Sequence, residues 1–470
     1  MRVLLIEVGN SITIFPPIGL MHIASAIRDK HEVFIKDYSG KEINNDRIKK
    51  DILKINPDII GVRVLTGPQI PRAIRVSRIA KKLEKTVVWG GPHPTILPYQ
   101  TLENNYVDYV VIGEGEISFI NLLKKLEGQK ASWNGIGLRK NGKIVINPAP
   151  KEIVNIDKQP LPSWDLLEDI DRYFPEKRHN MLVVSTTRGC AFKCGFCHNS
   201  NENVKKYLGC YRIARPERAI EELKFVQSLT KKHIDRLNVG EDFHLISYDY
   251  AKRFCEAIKN SGLKIKWWTA SRYSVLNKEI IDMIAETGCE RILLGVESGS
   301  RRIQEWSKKI VDLDHAIHIA KYLKKKNIFL TNSYIFGHPT ETSGELKETI
   351  KFIKKIPCHE NLIQLYRPLP GTPYYEECIK SGKFKDLKKI EEWAHFGVLG
   401  NDVNVSKIPD GILFSSFYKV NAIEQTKFVI NEERYYLKNK MYSKFFRGLV
   451  QNRFTYKLRE IIQNKKESSK

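Results

Sequence analysis

The chain has 470 residues, 42% of them hydrophobic and 28% charged. That is globular composition and, at about 100–200 residues per domain, it implies two or three domains rather than one core. No run approaches the roughly 18–20 apolar residues of a spanning helix, and the N-terminus leads into Ser, Thr and Pro rather than an apolar signal core, so a cytoplasmic protein is expected. The formal charge of +24 points to nucleic acid, to an anionic membrane surface or to solvated Lys-rich faces. Eight cysteines, three of them clustered from Cys190 to Cys197, suit a metal site in a reducing compartment better than a disulfide framework.

In chain order, VLLIEV (3–8), VFIKDY (33–38), DIIGVRV (58–64), TVVWGG (86–91) and DYVVIG (108–113) read as strands separated by amphipathic helical segments. This alternation predicts a parallel, doubly wound, flavodoxin-like α/β sheet over 1–135. Ligands of such sheets sit beyond the strand C-termini, where this sequence carries Gly9-Asn10-Ser11, Val64-Leu65-Thr66-Gly67, Gly90-Gly91-Pro92-His93-Pro94 and Gly113-Glu114-Gly115-Glu116. The glycines either admit a large ligand or only make tight turns.

A hairpin around Asn141-Gly142 and a Pro- and Asp-rich linker expected on the surface occupy 136–178. From 179 to 375 a second βα series starts at MLVVSTTRGC and continues through RLNVGEDF, IKWWTAS, RILLGVES, FLTNSYIFG and LIQLYRPL. Six parallel strands with helices outside fit a partial (β/α)6, TIM-like barrel, with chemistry at the strand C-termini. A mainly helical C-terminal extension is expected over 376–470, ending in the solvated KKESSK.

Cys190, Cys194 and Cys197 follow the first strand of the second series in the spacing Cys-x3-Cys-x2-Cys, with Gly189 and Gly195 for tight turns. Three thiolates are one ligand short of a structural zinc site, which His198 could complete. In a 4Fe-4S cluster three thiolates leave one iron open to a reacting molecule. The cysteines at 210, 255, 289, 358 and 378 read as inert buried thiols.

TTRGCAFKCGFCHNS, NVGEDF, ILLGVESGS and SYIFGHPTET, in this order, resemble the radical S-adenosylmethionine (SAM) superfamily. The resemblance implies that the three cysteines hold the cluster that cleaves SAM and that Phe196 lies where the backbone meets the adenine. It places Gly240 and Glu241 at the methionine amino group, Glu297 at the ribose or amino-acid end, and Lys309 at the carboxylate. Glu241 could instead cap a helix, Lys309 could be a solvated surface lysine, and His338-Pro339-Thr340-Glu341 reads as a structural turn.

The N-terminal domain resembles the cobalamin-binding domain fused ahead of the radical SAM core in the class B methylase group. The matches are WGGPHP and VIGEGE, with LPSWDLL and RPLPGTPYY further on. This implies cobalamin at Gly9, Asn10, Leu65, Thr66, Gly90, Gly91, Pro92, His93, Gly113, Glu114 and Gly115. No Asp-x-His-x-x-Gly motif is present, only His22 and His93 could substitute for it, and the group's habit is to leave cobalt without a protein His, with the base displaced.

The two resemblances together imply a C-methyltransferase: a 5′-deoxyadenosyl radical takes hydrogen from an unactivated carbon, which then receives a methyl group from cobalamin. Cyclisation, rearrangement or C–C bond formation is the alternative; a tRNA methylthiotransferase or a non-catalytic corrinoid-binding regulator is disfavoured. The partners implied are a small-molecule, lipid or peptide substrate and an electron donor such as ferredoxin or flavodoxin, with no stable nucleic acid complex. The basic, aromatic tail FRGLVQNRFTYKLREII is a candidate for peripheral membrane contact.

Overall fold

Aliphatic and β-branched runs bounded by Gly, Asp and Asn form the N-terminal strands. The computed structural model describes residues 1–10, 13–175, 180–209, 211–239, 244–397 and 402–438. β1 (Arg2–Glu7), β2 (Glu32–Asp37), β3 (Ile59–Arg63), β4 (Thr86–Gly90) and β5 (Tyr109–Val111) pair in parallel in the order β2-β1-β3-β4-β5. The order reverses between β1 and β3, so the loops leaving these strands diverge and open a crevice. Side chains alternate between two cores. Leu4 and Ile6 face the Asn45–Ile55 and Gln69–Lys82 helices, whereas Val3 and Leu5 enter a core that continues into the second half of the molecule.

Asn141 and Gly142 both have left-handed φ, at 50° and 73°, as the two-residue turn joining β6 (Ile136–Lys140) to β7 (Lys143–Ile146) requires. β6 pairs antiparallel with β5, so the hairpin extends the first sheet to seven strands and covers an edge that would otherwise leave backbone groups unpaired.

The linker runs over the surface, with Lys151, Asp157, Lys158 and Glu168 exposed, but it sinks its aromatic residues into the molecule. Trp164 and Phe174 are each 1% exposed, their rings pack 6.2 Å apart, and Trp164 Nε1 donates to the buried Glu222 at 2.8 Å. Two large rings gain more from burial than a Pro- and Asp-rich composition suggests, and they make the linker a wedge between the two sheets.

β8 (Met181–Val183), β11 (Arg236–Asn238), β12 (Lys266–Ser271), β13 (Cys289–Glu297), β14 (Phe329–Phe336) and β15 (Glu360–Leu365) form the six-stranded parallel half-barrel in chain order. A short ribbon, β9 (Thr187–Arg188) with β10 (Arg212–Ile213), brackets the cysteine loop. The Asp410–Lys438 helix covers the open edge of β15: Asn431 donates to the His359 carbonyl at 2.9 Å, and Asn361 donates to Glu424 at 2.8 Å. The segment ahead of that helix returns to the first sheet, where Trp393 is fully buried and donates to Gln100 at 2.9 Å. Among the described residues no helix is long and apolar enough to cross a membrane; residues 439–470, including the basic tail, lie outside them.

Trp164→Ala is expected to lower stability by about 3–5 kcal/mol, because the wedge would leave a cavity at the junction of both halves. The thermal unfolding midpoint should fall, while Lys151→Ala, at an exposed linker position, should leave it unchanged.

Candidate functional site

The cysteine loop leaves the ribbon through Gly189 and is held at its middle. Gly195 N donates to the Ser307 carbonyl at 3.0 Å, Tyr374 N donates to the Gly195 carbonyl at 3.1 Å, and Cys197 N donates to the Cys194 carbonyl at 3.0 Å. A Cβ on Gly195 would lie 2.7 Å from the Tyr374 ring, so only glycine fits there.

Cys190, Cys194 and Cys197 form no disulfide among the described residues and are partly exposed. Burial pushes the Cys194 thiol up, and Lys309 and Arg272 partly offset this. Among the described residues no three His, Cys, Asp or Glu side chains converge as a single-ion site requires. Three thiols on one short loop suit three irons of a cubane. His198 is exposed and lines a cavity. Cys255, Cys289 and Cys378 are buried and Cys358 is half-buried, with every thiol pushed up by burial; Cys210 lies outside the described residues.

Phe196 sets its ring edge against His338 and Tyr374, with both centroids at 6.2 Å, and Tyr374 stacks on Trp306 at 3.8 Å. Beside this cluster, Lys309 Nζ pairs with Glu297 Oε1 at 2.5 Å, and Ser333 Oγ donates to the same oxygen at 3.3 Å. Lys309 is therefore no solvated surface lysine; its side chain is 12% exposed. Glu297 adopts φ +66° at an irregularity in β13. A Cβ on Gly295 would fall 2.1 Å from Lys309 Nζ and 2.3 Å from Glu297 Oε1, so the pair occupies the space that a side chain there would take. Gly240 and Glu241 lie outside the described residues.

The Gly337–Glu341 turn is built by Glu341 Oε2, which accepts from Gly337 N at 2.7 Å and His338 N at 3.2 Å. Glu341 and His338 are fully buried, and burial raises the Glu341 carboxyl to about 8 and lowers the His338 imidazole to about 4. Both are thus mostly neutral at pH 7.

A cavity of about 700 Å³ opens at the crevice between β1 and β3 and is closed on its far side by the second half of the chain. Gly9, Asn10, Leu65, Gly90, Gly91, Pro92, Gly113, Glu114 and Gly115 all line it. Thr66 and His93 do not; they hydrogen-bond to each other at 3.1 Å, and burial lowers the His93 ring to about 3. The cavity also runs down the sheet past Leu5, Gly61, Val88 and Phe119, and a Cβ at Gly61 would press on Leu5 at 2.9 Å. His22 is on its wall with Nδ1 lacking a hydrogen-bond partner among the described residues, and burial, aided by Arg188, lowers the ring to about 3.

Sequence reasoning missed three charged groups at this wall, Glu7, Arg63 and Arg188. Arg63 donates to Glu7 at 2.8 Å; Arg188 pairs with Glu116 at 2.6 Å and Glu114 at 3.0 Å, and Arg212 pairs with Glu114 at 2.8 Å. Their place at strand C-termini, one in the quoted TTRGC stretch, was the available signal.

Fold and site together define an enzyme built from a cobalamin-type α/β domain and a cluster-bearing half-barrel. Residues 2–123 match the B12 binding domain family and residues 184–353 match the Radical SAM superfamily. The chain is 34% identical over 394 residues, 81% of its length and 84% of the relative's, to the uncharacterized methyltransferase PH0819 of Pyrococcus horikoshii. It is 22% identical to cytidylyl-2-hydroxyethylphosphonate methyltransferase of Streptomyces wedmorensis, covering 78% of each chain. It is 24% identical to the anaerobic magnesium-protoporphyrin IX monomethyl ester cyclase of Rubrivivax gelatinosus, covering 80% of this chain and 68% of that one. Its fold is similar to that of the radical SAM methyltransferase TsrM of Kitasatospora setae, solved with cobalamin and a 4Fe-4S cluster, at TM-score 0.68, 17% identity and 82% and 76% coverage.

The chain belongs to the cobalamin-dependent radical SAM enzymes, whose cofactors are cobalamin, a 4Fe-4S cluster and SAM. Its residues fit them. The glycine-lined mouth and the apolar slot past Gly61 suit a broad ring with a long side chain, and the three clamped thiols suit the cluster.

Gly295→Ala should displace the Glu297–Lys309 pair and weaken SAM binding by about tenfold or more, with iron content unchanged; equilibrium dialysis of the cluster-loaded protein checks this. Glu341 holds in the folded state a proton that the unfolded chain releases above its ordinary 4.5, so stability should fall as pH rises from 4.5 to about 8. Glu341→Gln should remove this slope, and midpoints of the two proteins that run parallel with pH would refute the neutral acid.

Proposed function

We propose that the chain is a C-methyltransferase acting on an unactivated carbon. One observation carries this reading: Gly189, one residue before the first cluster cysteine, and His198, one after the last, line the same cavity as Gly90, Gly91 and Glu114 of the first domain. A group held in the glycine-lined mouth therefore faces the cluster loop without intervening protein. The methyltransferase names of PH0819 and of the Streptomyces relative support the reading.

When bound, the three cofactors supply reductive cleavage of SAM to methionine and a 5′-deoxyadenosyl radical, hydrogen abstraction, and a transferable methyl group. The chain's own residues do the positioning. Cys190, Cys194 and Cys197 would hold the cluster by three of its irons. Glu297 and Lys309 would offer a carboxylate and an ammonium to the amino-acid end of SAM. The cavity, walled by both halves, would limit the access of water to a carbon radical. A ferredoxin- or flavodoxin-type donor supplies the electron, and the acceptor is a small molecule, lipid or peptide.

A second reading, ring formation without methyl transfer, is supported by the cyclase relative. Anaerobically reconstituted protein should hold about four irons and one cobalt per chain. With methyl-labelled SAM and the acceptor, label should enter the product. Deoxyadenosine formed without label transfer would sink methylation and favour the second reading, and Cys194→Ala should abolish deoxyadenosine formation in either case.

A further inference from the structure

From Ile412 to Ile430 the Asp410–Lys438 helix carries a single acid, Glu424, which is buried and accepts from Asn361. Leu413, Phe417 and Val420 pack inward on the core of the half-barrel, so the outward face of an ordinary surface helix would be polar. This one is not. Ile412, Ile423 and Ile430 are 44–45% exposed. At about 3.6 residues per turn their side chains fall within about 20° of one line, which runs for about 27 Å along the helix. Lys419, Lys427 and Arg434 are exposed on either side of it, and Tyr418 is exposed at its margin.

The Ser343–Lys355 helix packs alongside and turns Lys347, Lys351 and Lys354 outward in one row. The exposed acid of that stretch, Glu348, is about a quarter turn away. Lys347, Lys351, Lys354, Lys419 and Arg434 form no ion pair among the described residues. Nucleic acid would reward these cations through its phosphates but leave the isoleucines in water. A second copy of the face would bury the isoleucines but set lysine against lysine. An anionic bilayer satisfies both: the apolar row enters the boundary between headgroups and acyl chains, and the long basic side chains reach lipid phosphates.

We propose that this two-helix face docks the chain on the headgroup layer of an anionic lipid bilayer, with the row of Ile412, Ile423 and Ile430 inserted and the lysines beside it on lipid phosphates. The inference goes beyond the methyl-transfer reading and does not rest on it, since no cofactor takes part; its failure leaves that reading untouched. It gives part of the +24 charge a partner and sets the edge of the half-barrel at β15, which the helix covers, beside the membrane.

The test is flotation of the full-length, cluster-loaded protein with vesicles of phosphatidylcholine alone and of phosphatidylcholine mixed with phosphatidylglycerol. Wild type should bind the mixed vesicles about tenfold or more tightly, and less so as salt is raised. Ile423→Asp combined with Ile430→Asp should weaken that binding by about tenfold or more, with iron content and thermal unfolding midpoint unchanged. Lys49→Glu combined with Lys50→Glu, a larger charge change at exposed positions of the Asn45–Ile55 helix, should bind as wild type does. Wild type that binds neither vesicle or both alike, an aspartate variant that binds as wild type, or a Lys49 and Lys50 variant weakened equally overturns the proposal. If the aspartate variant does not fold, Lys351→Glu combined with Lys354→Glu decides: a lost preference for the mixed vesicles supports docking, and a kept one overturns it. Binding to a duplex RNA oligonucleotide without binding to vesicles overturns it in favour of nucleic acid, and self-association that the aspartate variant abolishes, again without vesicle binding, overturns it in favour of a second copy.

Discussion

The buried ion cluster of Glu114, Glu116, Arg188 and Arg212 is the constraint on which the two-domain site depends. Glu114 and Glu116 sit at the start of the Gly115–Leu126 helix in the first domain, while Arg188 and Arg212 are on the ribbon that brackets the cysteine loop. All four side chains are at most 15% exposed. Burial pushes the Glu116 carboxyl up, but Arg188 more than offsets this and the group ends below its ordinary value. Such a cluster adds little net stability, because desolvation consumes most of the attraction. Its effect is geometric. Bidentate contacts tolerate little displacement, so the turn after β5 and the strand two residues ahead of Cys190 can meet in one way only.

Several other features follow from that fixed meeting. Gly113 packs its bare Cα against Tyr207, where a Cβ would come within 2.7 Å, and its φ of +79° suits glycine. Thus the glycine that might have admitted a ligand admits the helix after the cluster loop, and the sheet approaches the half-barrel closely enough to close the cavity. Burial, aided by the positive field of Arg188, keeps His22 neutral on the cavity wall. Trp164 and Trp393 fill the seams on either side, so the angle between the halves is set by polar geometry at the centre and by ring packing around it.

The strands, the cysteine loop and the two cofactor domains were legible because each leaves a local signal: β-branched runs, glycine at strand ends, and thiols at fixed spacing. What was not legible depends on side-chain direction. WGGPHP marks a loop at the end of β4, but nothing in it says that His93 turns inward to Thr66 while Pro92 faces the cavity. The linker's prolines and aspartates outweighed two aromatic residues whose burial only the second domain could provide. The hairpin's turn was readable in Asn141-Gly142, yet its partner was not, since strand pairing is a property of the edge it finds. Arg63 and Glu7 were hidden in the same way: in sequence they are ordinary strand-end charges, and only the switch in strand order makes them neighbours.

Glu297 shows how the site combines precision with a conformational cost. A glutamate at φ +66° is strained by roughly 1–3 kcal/mol, and such a conformation persists only where the surroundings over-determine it. Here they do. β14 pairs with β13 on both sides of the irregularity, Ser333 and Lys309 hold the carboxylate, and Gly295 leaves the space beneath it open. Relaxing Glu297 to an ordinary strand conformation would shift its side chain to the other face of the sheet, away from Lys309 and into the apolar layer against the helices. The strain is therefore inseparable from presenting a carboxylate at the rim of the half-barrel. Gly295 and Ser333 stand on β13 and β14, so the carboxylate is held chiefly by strands of the half-barrel, with Lys309 closing over it from the loop after Trp306.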